Sequence, residues 1–154
     1  MLYQVEGRNV MTRKMLLLVC HSEDGRFADG DRAAIRAALA DSKCVSRVMD
    51  VGAGWIEIVC ADGGRLALRA PGLNGCCVFH RICVFVETET WTAAMLRLVY
   101  TLMCAGGFGL VRDLDAPQFL VTRPQQVTYF PWLPEPPRLV RSSRDLGALL
   151  GVAV

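Results

Sequence analysis

The stretch Cys76–Gly107, CCVFHRICVFVETETWTAAMLRLVYTLMCAGG, decides the fold because its apolar residues change from a period of two to a helical period. Alternation over 76–87 predicts one long strand whose two faces are both covered. Thr88 or Thr90 can cap the helix that follows, and Gly106-Gly107 ends it. The broad apolar face of this helix must pack on the sheet that contains the strand.

The residues before this stretch predict a central strand, a short helix and a three-stranded meander. Polar residues bound the apolar run Met15–Cys20, which is typical of a buried strand. Asp29 or Asp31 can cap the helix that follows, which ends near residues 41–42. Glycine-rich turns then separate three strand-like segments, Val45–Val51, Trp55–Ala61 and Arg65–Ala70.

After the long helix, shorter elements complete the domain. Phe108–Val111 and Gln118–Val121 predict two paired strands, and Thr122-Arg-Pro124 predicts the start of a short helix. The proline-rich residues 129–137 predict a stiff linker. Ser142 or Ser143 caps a last helix over 144–150, and residues 1–12 predict a loose arm or a short edge strand. We therefore expect a single α+β domain over 1–154, with a mainly antiparallel sheet of about six strands, two main helices packed on it and a short C-terminal helix.

Charge and hydropathy argue against several classes of partner. The 17 basic and 15 acidic residues give a net charge of +2, and the arginines are scattered, so neither nucleic acid nor a membrane surface is an expected partner. No apolar run approaches the roughly 18 residues of a membrane span. The apolar run after Arg13-Lys14 is too short for a secretory signal, whose core has roughly 7–15 residues. We expect a cytoplasmic protein.

The cysteines and histidines are the residues that could carry chemistry. Seven cysteines are an odd number, and most lie in apolar runs, which favours reduced thiols in the core. The cluster Cys76-Cys77-x-x-His80-x-x-Cys83 contains zinc-type ligands, but a strand would divide them between its two faces. We therefore expect no metal, no cofactor and no enzymatic activity. A thiol-dependent enzyme that uses Cys20 or Cys83 with His80 is the alternative.

Two segments are candidates for contact with a partner. Rigid aromatic residues on a proline-rich backbone lose little entropy on binding, which favours the stretch 129–137; the alternative is that these rings cover the outer face of the sheet. The acidic loop before the first helix lacks the ligand spacing of a calcium-binding loop. The predicted partner-binding residues are Tyr129, Phe130, Trp132, Arg123, Asp24, Asp29 and Asp31.

The segment Met95–Leu133 resembles the C-terminal half of small bacterial immunity proteins, which are encoded beside secreted toxins. It has a helix that ends in small residues, then Phe108-Gly-Leu-Val111, Phe119-Leu-Val-Thr122 and a glutamine-rich turn before an aromatic-proline segment. The resemblance implies a non-catalytic protein that binds its cognate toxin and occludes the active site. The +2 charge departs from the acidic surfaces that oppose basic nucleases, which puts a nuclease partner in doubt. A homodimeric scaffold that closes through an exposed edge strand is a further alternative.

Overall fold

The computed structural model describes residues 4–5, 8–9, 15–41, 43–75, 77–112, 118–129 and 133–152. Its elements, in chain order, are β1 (Gln4–Val5), β2 (Arg8–Asn9), β3 (Met15–Cys20), α1 (Arg32–Leu39), β4 (Val45–Gly52), β5 (Trp55–Cys60), β6 (Arg65–Arg69), β7 (Arg81–Val86), α2 (Ala93–Gly106), β8 (Phe108–Val111), β9 (Phe119–Val121), a 3-10 helix (Pro124–Tyr129), β10 (Arg138–Leu139) and α3 (Ser143–Leu149).

The fold is α+β, as predicted, and its main sheet has eight strands rather than about six. The strand order is β10-β9-β8-β3-β7-β6-β5-β4. All neighbours are antiparallel except β10 and β9, which are parallel. The expectation that Met15–Cys20 lies centrally is confirmed, since β3 lies between β7 and β8. In the N-terminal segment, β1 and β2 pair with each other as a two-stranded ribbon, separate from the main sheet in the part of the chain that the structure describes.

The core lies on the face of the sheet that the helices cover. Alternate residues of neighbouring strands point into it, such as Leu18 of β3 and Ile82 of β7, and both are fully buried. The three helices contribute apolar side chains to the same cluster, among them Ile35, Leu98 and Leu146. No helix among the described residues is both long and apolar enough to span a membrane.

The predicted long strand is shorter than the alternation suggested. It was expected over 76–87, but β7 begins only at Arg81. The backbone N–H of Phe79 donates to the Asp29 carboxylate at 2.9 Å, and its carbonyl accepts from Gly30. The Phe79 ring is fully buried, whereas Val78 is exposed. These bonds to the β3–α1 loop hold the segment 77–80 out of the sheet ladder.

The long helix also begins later than either cap that the sequence suggested. Thr92 is the N-cap, rather than Thr88 or Thr90, and its hydroxyl accepts from the backbone of Met95. The carboxylate of Asp62, on the β5–β6 turn, accepts from the Thr92 hydroxyl at 2.8 Å and from the Ala94 N–H at 3.0 Å. A contact distant in sequence therefore selects the cap. The helix ends as predicted, at Gly107 with φ of 72°.

The C-terminal region follows the predicted order, with one additional strand. The short helix after Thr122 is a 3-10 helix, and α3 is capped by Ser142. The predicted linker 129–137 is irregular over its described residues 133–137, while Tyr129 belongs to the 3-10 helix. Directly after the linker, β10 pairs in parallel with β9, which two residues of sequence gave no reason to expect.

Candidate functional site

The candidate site lies at one end of the sheet, where loops from distant parts of the chain meet. The end of β3 and the β3–α1 loop, residues 21–31, both bond to the segment 77–80 that precedes β7. The N–H of Cys20, the last residue of β3, donates to the His80 carbonyl at 2.8 Å, and the N–H of Gly30 in the loop donates to the Phe79 carbonyl. The C-terminus of α2 and the 3-10 helix approach the same place. Two adjoining features result, a polar cavity and an exposed apolar patch.

The cavity, which we call the Cys20 cavity, has a volume of about 320 Å³. It brings together four of the predicted partner-binding residues. Two of them precede α1 and the other two lie about ninety positions later in the sequence. Its lining contains Asp29, Asp31, Arg123 and Tyr129 of that set, together with Cys20, His21, Ala28, Ala105, Gly106, Gly107 and Gln126. Asp24 does not line it.

The two aspartates of the Cys20 cavity are engaged within the fold. Asp29 accepts from the Arg32 guanidinium at 2.8 and 2.9 Å, in addition to the Phe79 N–H. The Phe79 bond, followed by the Arg32 bond, lowers the pKa of Asp29 below its usual value. Asp31 is the N-cap of α1 and accepts from the backbone of Ala34 at 3.0 Å. Both carboxylates therefore position α1.

Arg123 and Gln126 close the opposite wall of the Cys20 cavity. The Arg123 guanidinium donates to the carbonyl of Cys104 at 2.8 Å, near the end of α2. The Gln126 side chain is almost fully buried; its oxygen accepts from the N–H groups of Thr122 and Arg123, and its nitrogen donates to the Gly107 carbonyl. Gln126 was not among the predicted site residues, and it joins the 3-10 helix to the end of α2.

Cys20 is placed as a core thiol. Its Sγ lies 3.8 Å from the carbonyl oxygen of Gly106, and the residue is buried. Burial raises the pKa of the Cys20 thiol, against the opposing effect of the Arg123 charge. The His80 ring lies against Phe27 instead, with ring centroids 4.6 Å apart. Nucleophilic thiols usually have a lowered pKa, whereas the burial of Cys20 acts in the opposite direction.

The exposed feature, which we call the Phe27 patch, consists of His21, Phe27, Val78 and His80. The Phe27 side chain is 65% exposed, the highest value among the large apolar residues described, and Val78 is 59% exposed. The Phe27 ring lies 5.3 Å from the His21 ring and 4.6 Å from the His80 ring, between centroids. Burial, followed by the nearby His80, lowers the pKa of His21 below its usual value, which favours the uncharged form of its ring.

The loop that carries Phe27 is fixed by its own hydrogen bonds. The N–H of Ser22 donates to the Arg26 carbonyl at 2.9 Å, and the N–H of Gly25 donates to the Ser22 carbonyl. The Asp24 carboxylate accepts from the Ser22 hydroxyl and from the Arg26 N–H, and both bonds lower the pKa of Asp24. Asp24 and Arg26 thus form a charged rim beside the Phe27 ring, with their ionic groups 3.6 Å apart.

Some of the predicted residues lie outside the described part of the chain. These are Phe130 and Trp132 of the partner-binding set, and Cys76 of the possible zinc cluster. Within the described residues, no group of three or more histidine, cysteine or acidic side chains could hold a metal ion. Cys83 lies on β7, paired in register with Leu17 of β3.

Comparison with models of protein families, with curated proteins and with solved structures finds no match to this chain. Function is therefore inferred from the residues and their geometry. Sequence reasoning did not identify the Phe27 patch, although one signal was present. A phenylalanine in a loop rich in aspartate and glycine, EDGRFADG, has only the small Ala28 as an apolar neighbour in sequence, so no apolar run predicts that its ring is buried.

Proposed function

We propose that this chain is a non-catalytic immunity protein, which binds a secreted bacterial toxin and occludes the toxin's active site. The Phe27 patch would be the centre of the contact. The resemblance of Met95–Leu133 to immunity proteins supplies the class of partner, and the exposed Phe27 ring supplies the surface.

The single observation that carries the proposal is the combination of exposure and order at Phe27. Exposure of an apolar ring to water is unfavourable in free energy. The Phe27 ring is 65% exposed, and contact with a partner would remove it from water. The bonds inside the loop Ser22–Arg26 hold the ring in place before binding. Little conformational entropy is then lost on association, and aromatic residues of this kind dominate interface energetics.

The surroundings of the Phe27 patch have the usual arrangement of a protein interface. The centre is formed by the aromatic rings of Phe27, His21 and His80, and Asp24 and Arg26 supply a polar rim with both signs of charge. Arg123 and Tyr129 extend the surface across the Cys20 cavity, which shares His21 with the patch. Asp29 and Asp31 are exposed at the same cavity, and their carboxylates are engaged in positioning α1.

The state of the cysteines agrees with a cytoplasmic location, where immunity proteins of this class would act. The six described cysteines are free thiols, and Cys20, Cys44 and Cys60 are buried. Burial raises the pKa of Cys60 to about 11, with a further contribution from Asp62. Free buried thiols are typical of a reducing compartment.

The proposal is tested by co-expression with the product of the neighbouring toxin gene in a sensitive host. We expect wild-type chain to restore growth and to co-purify with the toxin. Phe27→Asp should lose both properties, whereas Val51→Asp, a charge placed at a 50% exposed valine on β4, should keep both. Equal soluble yields of the two variants, together with the same circular dichroism spectrum, exclude misfolding as the cause. A lack of any neighbouring toxin, or undiminished protection by Phe27→Asp, would overturn the proposal.

A further inference from the structure

The two edges of the main sheet are very different. At one edge, β10 contributes only Arg138–Leu139, whereas β4 at the other edge is eight residues long. Every residue of β4 after Val45 is exposed. Three of the five large apolar side chains that are exposed among the described residues belong to this strand, namely Val48, Met49 and Val51.

The backbone of β4 is paired on one side only within the described residues. Its partner there is β5, and β4 stands last in the strand order. Register shifts occur between Val45 and Arg47 and between Asp50 and Gly52, which leaves 47–50 regularly paired. The register shifts protect the two ends of this edge, but the stretch 47–50 between them contains neither lysine nor proline, so its backbone can accept another strand.

We propose that a second copy of this chain pairs with β4, antiparallel, about a two-fold axis at Val48. The contact joins two eight-stranded sheets edge to edge. A perpendicular two-fold axis requires facing residues to point to the same side of the sheet, so Val48 faces its own copy and Arg47 faces Met49 of the second copy.

Charge favours a second copy as the occupant. Between Val45 and Gly52 the strand carries one cation, Arg47, and one anion, Asp50, so two copies bring no net charge together. With the axis at Val48, Arg47 faces Met49 of the second copy and Asp50 lies beside that copy's irregular residue Ser46, so neither charge meets its like. An axis at Arg47 would instead set two guanidinium groups face to face, which destabilises a strand pair.

A groove beside β4 extends the contact onto the helix face. It has a volume of about 300 Å³ and lies between α1 and the strand; its apolar lining includes Leu39, Val48, Ile56 and Leu73. Val48 is opposite the buried Ile58 of β5, so its side chain points to this face. The two-fold axis at Val48 therefore brings the grooves of both copies side by side.

Strands β7, β6 and β5 separate this edge from β3, whose end carries the Phe27 patch, so the inference is independent of the proposed function.

The experiment is sedimentation velocity on the purified full chain over a wide range of concentration. We expect a monomer–dimer equilibrium for the wild type. Val48→Lys should raise the dissociation constant of the dimer by at least about tenfold, because two lysines would face each other at the axis. Val78→Lys is the matched control, since it places the same charge on a valine that is 59% exposed, against 42% for Val48, and that precedes β7 instead of belonging to β4; it should leave the equilibrium unchanged.

A cysteine variant tests the register directly. Val48→Cys should give a covalent dimer under mild oxidation, because facing side chains in an antiparallel pair are within reach of a disulfide. Val51→Cys should stay at the background of the wild type, whose Cys77 is exposed, because its two copies would be separated by about 20 Å along the strands. A wild type that is monomeric at every concentration, or a dimer that Val48→Lys does not weaken, would overturn the inference. Faster cross-linking of Val51→Cys than of Val48→Cys would also overturn it.

Discussion

The Cys20 cavity and the Phe27 patch adjoin at one end of the sheet and share His21, yet they use their side chains in opposite ways. In the cavity, Asp29, Arg123 and Gln126 donate to or accept from the backbone of neighbouring elements. In the patch, Phe27 presents most of its ring to solvent. The polar side chains of the cavity therefore stabilise the fold, whereas the exposed apolar ring of the patch is the basis of the proposed contact with a partner.

The largest effect is expected for Gln126→Ala, which tests the structural role of the cavity. The substitution would leave the N–H groups of Thr122 and Arg123 and the carbonyl of Gly107 without their side-chain partner. We expect the free energy of unfolding to fall by about 3 kcal/mol, measured by urea denaturation. Gln125→Ala, at the exposed neighbouring residue, is the matched control and should change it by less than about 0.5 kcal/mol. Similar free energies of unfolding for the two variants would contradict the structural role assigned to the cavity.

A smaller effect, on binding rather than on stability, is expected for Phe27→Ala. Removal of the exposed ring should weaken binding of the toxin by about 2 kcal/mol, or roughly thirtyfold, as for a central interface residue. The free energy of unfolding should hardly change, because the ring is 65% exposed. Titration calorimetry and urea denaturation give the two quantities. A loss of stability with unchanged affinity would instead show that Phe27 belongs to the fold.

Asp29→Asn should have a modest effect that depends on pH. The pKa of Asp29 is lowered in the folded state, so its carboxylate stabilises the fold above its usual pKa of 3.8. That contribution is lost as the pH falls through the lower value of the folded state. The difference in melting temperature between wild type and variant should thus be present at neutral pH and vanish in acid. Asp31→Asn is the control, because asparagine caps a helix as well as aspartate does. A difference that is constant with pH would contradict the assigned role.

The smallest functional effect is expected at the cysteines. In native protein, iodoacetamide should modify the exposed Cys77 first and Cys60 last, since Cys60 is buried and its pKa is raised to about 11. Cys20→Ala should leave protection against the toxin unchanged. Peptide mass spectrometry gives the order of modification. Rapid, selective modification of Cys20 would revive the hypothesis of a thiol-dependent enzyme.

Local sequence patterns predicted much of the fold, and contacts between distant residues account for the rest. The apolar run Met15–Cys20 placed β3 at its observed bounds. Glycine turns placed β4 to β6 nearly at theirs, because these three strands follow one another with tight connections. The start of β7 depends instead on the bond between Asp29 and Phe79, and the start of α2 depends on Asp62. Neither contact joins residues that are close enough in sequence to appear in a local hydrophobic pattern.

The candidate site was predictable only in part for the same reason. Residue type singled out Asp29, Asp31, Arg123 and Tyr129, which the structure does bring together. Residue type could not show that these side chains would form hydrogen bonds within the fold. It also could not show that the rings of His21 and His80 would both lie against an exposed Phe27 ring. Exposure of an apolar residue is a property of the packed structure, and one sequence contains only a hint of it.

The most direct test of the central claim is a hydrogen-exchange footprint of the complex with the product of the neighbouring toxin gene. If the Phe27 patch is the contact surface, amides in residues 21–30 and 77–80 should become protected on binding, while the 3-10 helix 124–129 should change less. Protection confined to residues 118–129, with no change around Phe27, would contradict the account.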